Sequence, residues 1–198
     1  MTAYSMPCCK NVNAAWFRLL FIALVFFSSF NAHATVAQIL VKSAELQSLD
    51  EKFSLNIDLD FQFNPALEDA LNKGIPLTFL YEFQLSQPRK YWFDEEIVSQ
   101  SQRITISYHA LSRQYLVHRQ NHQQSYANLA QAKEAISKIK DWLVFDKSVL
   151  KKGEPYQAGL RVRLDQAKLP KALQAEAASS EEWSMISERF RWVPIFNL

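Results

Sequence analysis

The run Ile75–Glu96, IPLTFLYEFQLSQPRKYWFDEE, decides how the chain is read. From Leu77 to Leu85 it alternates. Leu77, Phe79, Tyr81, Phe83 and Leu85 fall on one face, and Thr78, Leu80, Glu82 and Gln84 on the other. Side chains that switch face at every residue and sort by polarity are the period-two pattern of a half-buried strand. The second half differs in kind. From Arg89 to Glu96 it places two cations (Arg89, Lys90), three aromatics (Tyr91, Trp92, Phe93) and three acids (Asp94, Glu95, Glu96) in succession.

Working outward, Phe53–Phe63 (FSLNIDLDFQF) alternates without a slip, which makes it the firmest strand in the chain. One apolar and one polar face imply an antiparallel sheet with a wet side. Further strands are predicted over Val36–Leu46, Arg103–His109, Tyr115–Arg119 and Tyr156–Asp165. Another, from Lys90 to Val98, would send Tyr91 and Phe93 into the core and leave Arg89, Trp92 and Asp94 outside. Ser99–Gln102 reads as a turn and Leu111–Gln114 as a hairpin loop.

Asn64–Pro65 starts a short helix, with Asn as the cap and Pro at its first position. Gly74 is placed to end it in the left-handed conformation. Ser125–Trp142 predicts a second helix, because Leu129, Ala132, Ile136, Ile139 and Leu143 recur at spacings of three or four. Lys147–Glu154 is a basic turn region. Residues 171–182, rich in Ala, Gln, Ser and Glu, predict a mobile excursion. Trp183–Phe196 is taken as a closing strand, although Ser179 with Glu182 also fits a helix capping box. The expected class is mainly β (α+β): an antiparallel β-sandwich-like domain of about seven to nine strands with two packed helices.

The N-terminus carries Lys10 and Arg18, the apolar run Leu19–Phe27, and then Ala32-His33-Ala34. That order predicts a secretory signal peptide over residues 1–34, cleaved before Thr35, and a single domain over residues 35–198. The apolar run is too short to span a bilayer, which needs about 20 residues. Export to the periplasm follows as the expectation, with an uncleaved anchor as the alternative. Both cysteines, Cys8 and Cys9, precede the cleavage point. The exported part therefore has no thiol for nucleophilic catalysis, disulfides or metal binding. Removing Lys10 and Arg18 leaves 20 basic against 20 acidic residues, with no long block of one sign. Neither a nucleic-acid groove nor a polybasic membrane patch is indicated.

Reactive constellations are scarce. The chain has three glycines, Gly74, Gly153 and Gly159, too few for a Gly-rich phosphate cradle. Asp58 and Asp60 sit two apart on a polar strand face, where solvated residues are the plain reading and a paired-carboxylate site the sharper one. His109 and His118 flank one predicted hairpin, where polar-face strand residues are the plain reading and two imidazoles sharing a metal ion with a carboxylate the sharper one. Tyr156, Arg161 and Arg163 read as core and solvated-face residues, or as a binding face. No catalytic, cofactor-binding or metal residue is assigned, and no cofactor is called for.

Several motifs occur in order: GIPL at Gly74–Leu77, RKYWFDE at Arg89–Glu95, SYHALSRQY at Ser107–Tyr115, DW at Asp141–Trp142, GEPY at Gly153–Tyr156 and RVRLD at Arg161–Asp165. Together they resemble the bacterial exported-protein family called domain of unknown function 4390. The resemblance implies a small exported protein of Gram-negative bacteria, in some cases encoded near a nitrogen-regulation-type sensor kinase, and carries no catalytic residues. The expected function is a non-enzymatic periplasmic binding or protein-interaction module, accessory to envelope signalling. Its partner-binding residues would be Arg89, Trp92, Asp94 and Glu95. The expected partner is an envelope protein, a peptide or a glycan, with no nucleic acid and no membrane span once the leader is removed. Two alternatives stand beside it: an envelope-polymer hydrolase using Asp94, Glu95 or His109, and a carrier of an apolar ligand held within the sheet.

Overall fold

A computed structural model describes residues 37–196. The leader expected over residues 1–34 lies outside the described residues. Among the described residues nine strands form two antiparallel sheets. The smaller has the order β1-β2-β7 (Gln38–Leu49, Lys52–Gln62, Lys138–Asp146). The larger has the order β6-β5-β4-β3-β8-β9 (His122–Tyr126, Gln114–Arg119, Glu95–His109, Leu77–Gln87, Gln157–Leu164, Phe190–Trp192).

The alternating stretches face each other. Leu55, Ile57, Leu59 and Phe61 of β2 are buried against Leu77, Phe79, Tyr81, Phe83 and Leu85 of β3. Phe61 meets Phe79 edge-on at 4.9 Å between ring centroids, and Phe83 lies parallel to Phe145 of β7 at 6.1 Å. Interlocked rings thus occupy the space between the sheets, where the carrier reading needs a chamber.

Among the described residues three α-helices accompany the sheets: α1 (Pro65–Asn72), α2 (Leu129–Ser137) and α3 (Lys171–Ser179). The first follows the sequence closely. Asn64 caps it by accepting from the Leu67 amide at 2.9 Å. Gly74, at φ 86°, closes it with two returning bonds, Gly74 N–H to the Leu71 carbonyl and Ile75 N–H to the Ala70 carbonyl. That pair is the Schellman arrangement, and only a residue at ease in the left-handed region forms it without strain.

Four expectations need correction. The helix predicted over Ser125–Trp142 is split: β6 runs to Tyr126, α2 stops at Ser137 and β7 starts at Lys138. Residues 139–145 pair with β2, which buries Ile139, Trp142, Val144 and Phe145 and leaves Leu143 exposed. Register shifts in that pairing space the apolar residues by three, which imitates a helix. Asp141, at φ 54°, takes up the irregularity and donates its amide to Asn56 Oδ1 at 2.8 Å.

Ser99–Gln102 is not a turn but the middle of the 15-residue β4, held along this stretch by ladder bonds to β3. No strand starts at Lys90, because Pro88 has no amide to continue the ladder and β4 begins only at Glu95. The stretch 171–182 forms α3 and a 3-10 turn (Glu181–Trp183) rather than an excursion without structure. It is tied down by Gln166 Nε2, which donates to the carbonyls of Ala177 and Trp183, and by Asn64 Nδ2, which donates to that of Glu182. The tail does contribute a closing strand, β9.

Candidate functional site

One end of the sandwich collects the irregular chain. β3 ends there, and its residue Ser86 stands opposite Gln157 at the start of β8. Trp192, the last residue of β9, stands opposite Ala158. Lys52, opening β2, stands opposite Asp146, closing β7. The rings confirm the common level: Phe196 lies within 6.2 Å, centroid to centroid, of Phe53, Phe145 and Tyr156. The β1–β2 turn, the β3–β4 loop, the β7–β8 connection and the segment after β9 therefore share one end.

The β3–β4 loop, residues 88–94, carries the unusual cluster. Arg89 pairs with Glu95 across its base. Gln87 Nε2 donates to Glu154 Oε2 of the β7–β8 connection at 2.7 Å. Beyond that base nothing covers the chain, and Tyr91, Trp92 and Phe93 are 87%, 77% and 88% exposed. Tyr91 and Phe93, expected in the core, stand in water instead. Alternation directs a side chain inward only where the opposite sheet reaches, and these residues lie past the last ladder bond. Trp92 and Asp94 are exposed as expected. Lys90 Nζ sits 5.6 Å from the Tyr91 ring centroid, a cation–π contact that partly covers that ring.

Sequence reasoning missed what surrounds the loop. Val193 (74% exposed) and Ile195 (88%) stand free at the same end, as do Leu49 and Val149. Trp192 and Phe196 pack against the core, and the alternation between them turns Val193 and Ile195 outward in a period-two order that the tail's sequence already contains. On the outer face of the larger sheet, Arg189 and Arg191 alternate with Phe190 and Trp192, a legible signal for two outward arginines.

The remaining candidates do not assemble. Glu95 and His109 are the first and last residues of β4, about 45 Å apart at strand rise. A hydrolytic site combining His109 with Asp94 or Glu95 is therefore ruled out by geometry. His118 stands opposite Thr105, about 13 Å along the strand from His109, whose Nδ1 instead contacts Ser112 Oγ at 3.0 Å. Among the described residues no group of three His, Cys, Asp or Glu is placed to hold a metal ion. Asp58 and Asp60 line an open groove of about 750 Å³ beside α2, facing Lys42, Lys133 and Lys138. There the hydrogen bond from Lys138 holds the Glu134 carboxyl below its usual range, the opposite of what a catalytic acid needs. Tyr156 is a core residue whose hydroxyl accepts from the Lys151 amide, and Arg163 pairs with Glu82 at 3.3 Å.

These features define a two-sheet β protein with a closed core and an exposed aromatic loop end. The chain belongs to the family described as Domain of unknown function (DUF4390), which matches residues 36–193. No curated protein and no solved structure matches it.

Proposed function

We propose that the protein is a non-enzymatic binding module of the bacterial periplasm that engages an envelope protein through its β3–β4 loop end. The observation that carries this reading is the exposure of Tyr91, Trp92 and Phe93 in succession at one loop tip. Those three side chains offer on the order of 500 Å² of aromatic surface. With Val193 and Ile195 the apolar area approaches the roughly 800 Å² that one partner contributes to a standard interface. Exposed apolar surface of this size opposes solubility and persists where something binds it. Arg89, Asp94 and Glu95 rim the tip with charge and supply orientation rather than affinity. A role accessory to envelope signalling fits a module that binds without reacting.

The test combines fractionation with site-specific photocrosslinking. A photoreactive residue at position 92 is expected to give a discrete protein adduct in the periplasmic fraction, and one at Leu143 none. Trp92→Ala is expected to melt within about 2 °C of the wild type, since surface substitutions stay within about 0.5 kcal/mol. It should also weaken partner capture about 30-fold or more, as a central aromatic anchor does. Recovery of the protein in the cytosol, unfolding of the variant, or undiminished capture overturns the reading.

A further inference from the structure

We propose that the outer face of the larger sheet, beside the aromatic loop, is a recognition groove for an extended acidic peptide segment. This names the class of partner and rests on the binding reading above; the groove adjoins the tip, sharing Phe93 and Asp94 with it but not Trp92. The groove encloses about 250 Å³. The ladder brings Gln84, Gly159 and Arg191 into one row across β3, β8 and β9, with Ser86 and Gln157 in the row beside it.

Gly159 is the telling residue. Its φ is not in the left-handed region, and a Cβ there would meet nothing nearer than the Gln84 carbonyl at 3.9 Å and the Phe190 carbonyl at 4.0 Å. The fold therefore does not require glycine at this strand position, where it weakens the sheet and marks close approach of a ligand or another backbone. Its missing side chain forms the floor of the groove.

Charge supplies the second argument. Arg103 and Arg163 are neutralised by Asp165 and Glu82. Arg189 and Arg191 make no ion pair among the described residues. Arg189 instead reaches Gln84 Oε1 at 3.2 Å. Two guanidinium groups without carboxylates are a ready receptor for two anionic groups. Their spacing of two residues, about 6.6 Å along an extended chain, matches side chains at alternate positions of an extended peptide. The neutral amide of Gln157 and hydroxyl of Ser86 suit peptide N–H and C=O groups, which an isolated phosphate would not need, while Gln84, held between Arg189 and Glu96, fixes the Arg189 guanidinium in place. At the loop end Phe93 adds an apolar wall and Asp94 a negative charge. Asp94 repels acidic residues and so directs them toward the arginines.

The assay is fluorescence anisotropy of the folded protein with a labelled (Glu-Ser)4 peptide at low salt. Wild type is expected to bind this probe and not (Lys-Ser)4. The double variant Arg189→Gln/Arg191→Gln should lose at least tenfold in affinity. Gly159→Val, which fills the floor, should lose at least fivefold with an unchanged melting curve. Asp94→Asn should bind two- to threefold tighter. Lys42→Gln/Lys140→Gln, the same charge change on the smaller sheet, should bind as wild type does. Trp92→Ala should retain peptide binding within twofold, so that failure of the groove and failure of the loop-tip reading are separately visible. The proposal is overturned if wild type does not bind the acidic probe, or if the arginine double variant binds undiminished. It is also overturned if the lysine double variant loses as much, or if phosphatidylglycerol vesicles bind at the groove and the peptide does not.

Discussion

Replacing Tyr81 by phenylalanine removes one oxygen from the middle of the molecule. Tyr81 lies in β3, fully buried between β4 and β8, and its hydroxyl donates to the Ile136 carbonyl at 2.6 Å. That carbonyl belongs to the last turn of α2, past the cap bond from the Lys138 amide to Glu134. It is thus one of the helix-end acceptors with no partner inside the helix. Phenylalanine would leave it buried and unsatisfied, at a cost of about 1–3 kcal/mol. With a urea slope of about 2 kcal/mol per molar, a loss of about 2 kcal/mol lowers the midpoint by about 1 M with the slope unchanged.

The pH dependence gives an independent check. Burial pushes the Tyr81 phenol well above its ordinary value near 10, against a smaller opposing pull from Arg119. The folded state therefore keeps this proton at a pH where the unfolded chain releases it. Stability from Tyr81 is complete below about pH 10 and declines above it, by about 1.4 kcal/mol per pH unit. The variant lacks this group, so the wild-type advantage should hold from pH 7 to 9 and shrink by about 1 kcal/mol at pH 11. Urea titrations followed by tryptophan fluorescence at pH 8 and pH 11 measure both. Equal stability at pH 8, or a difference that persists unchanged at pH 11, refutes the assignment of this hydrogen bond.

Two further substitutions probe the frame. Gly74→Ala places a Cβ at φ 86° and should cost about 1–2 kcal/mol by thermal unfolding, with Gly74→Asn recovering part of it because Asn tolerates that region. Arg103→Ala strips the partner from the largely buried Asp165, 3.0 Å away, and should cost about 1–2 kcal/mol. Since the Arg103 side chain is half-exposed, that loss should shrink when wild type and variant are compared in 1 M salt.

Legibility followed the length of each pattern. The alternations at Phe53–Phe63 and Leu77–Leu85 are legible because each strand packs one face on a core, and that requirement is written in consecutive residues. The helix starting at Pro65 was equally plain, since its cap, its proline and Gly74 act locally. The split at Ser137/Lys138 was not, because a bulged strand and an amphipathic helix space apolar residues alike. Only the pairing of Leu55 with Trp142 and of Ile57 with Ile139 separates them. At the candidate site, composition marked residues 89–96, and Trp92 and Asp94 proved exposed. Alternation nevertheless placed Tyr91 and Phe93 inside, since it carries no signal for where the opposite sheet ends.

By itself the sequence determined the β-rich class, the two alternating strands, the capped first helix, the family and the stretch that stands out chemically. All of these rest on interactions within a few residues or on composition. Tertiary structure alone decided which ends coincide. It brought Val193 and Ile195, more than 95 residues downstream, to the level of Trp92, placed Arg191 beside Gly159 and Gln84, and moved His109 to the far end of β4 from Glu95. The physical reason is that strand direction and register are set by long-range backbone pairing and by which apolar faces must close on each other. Neither is expressed by any one segment.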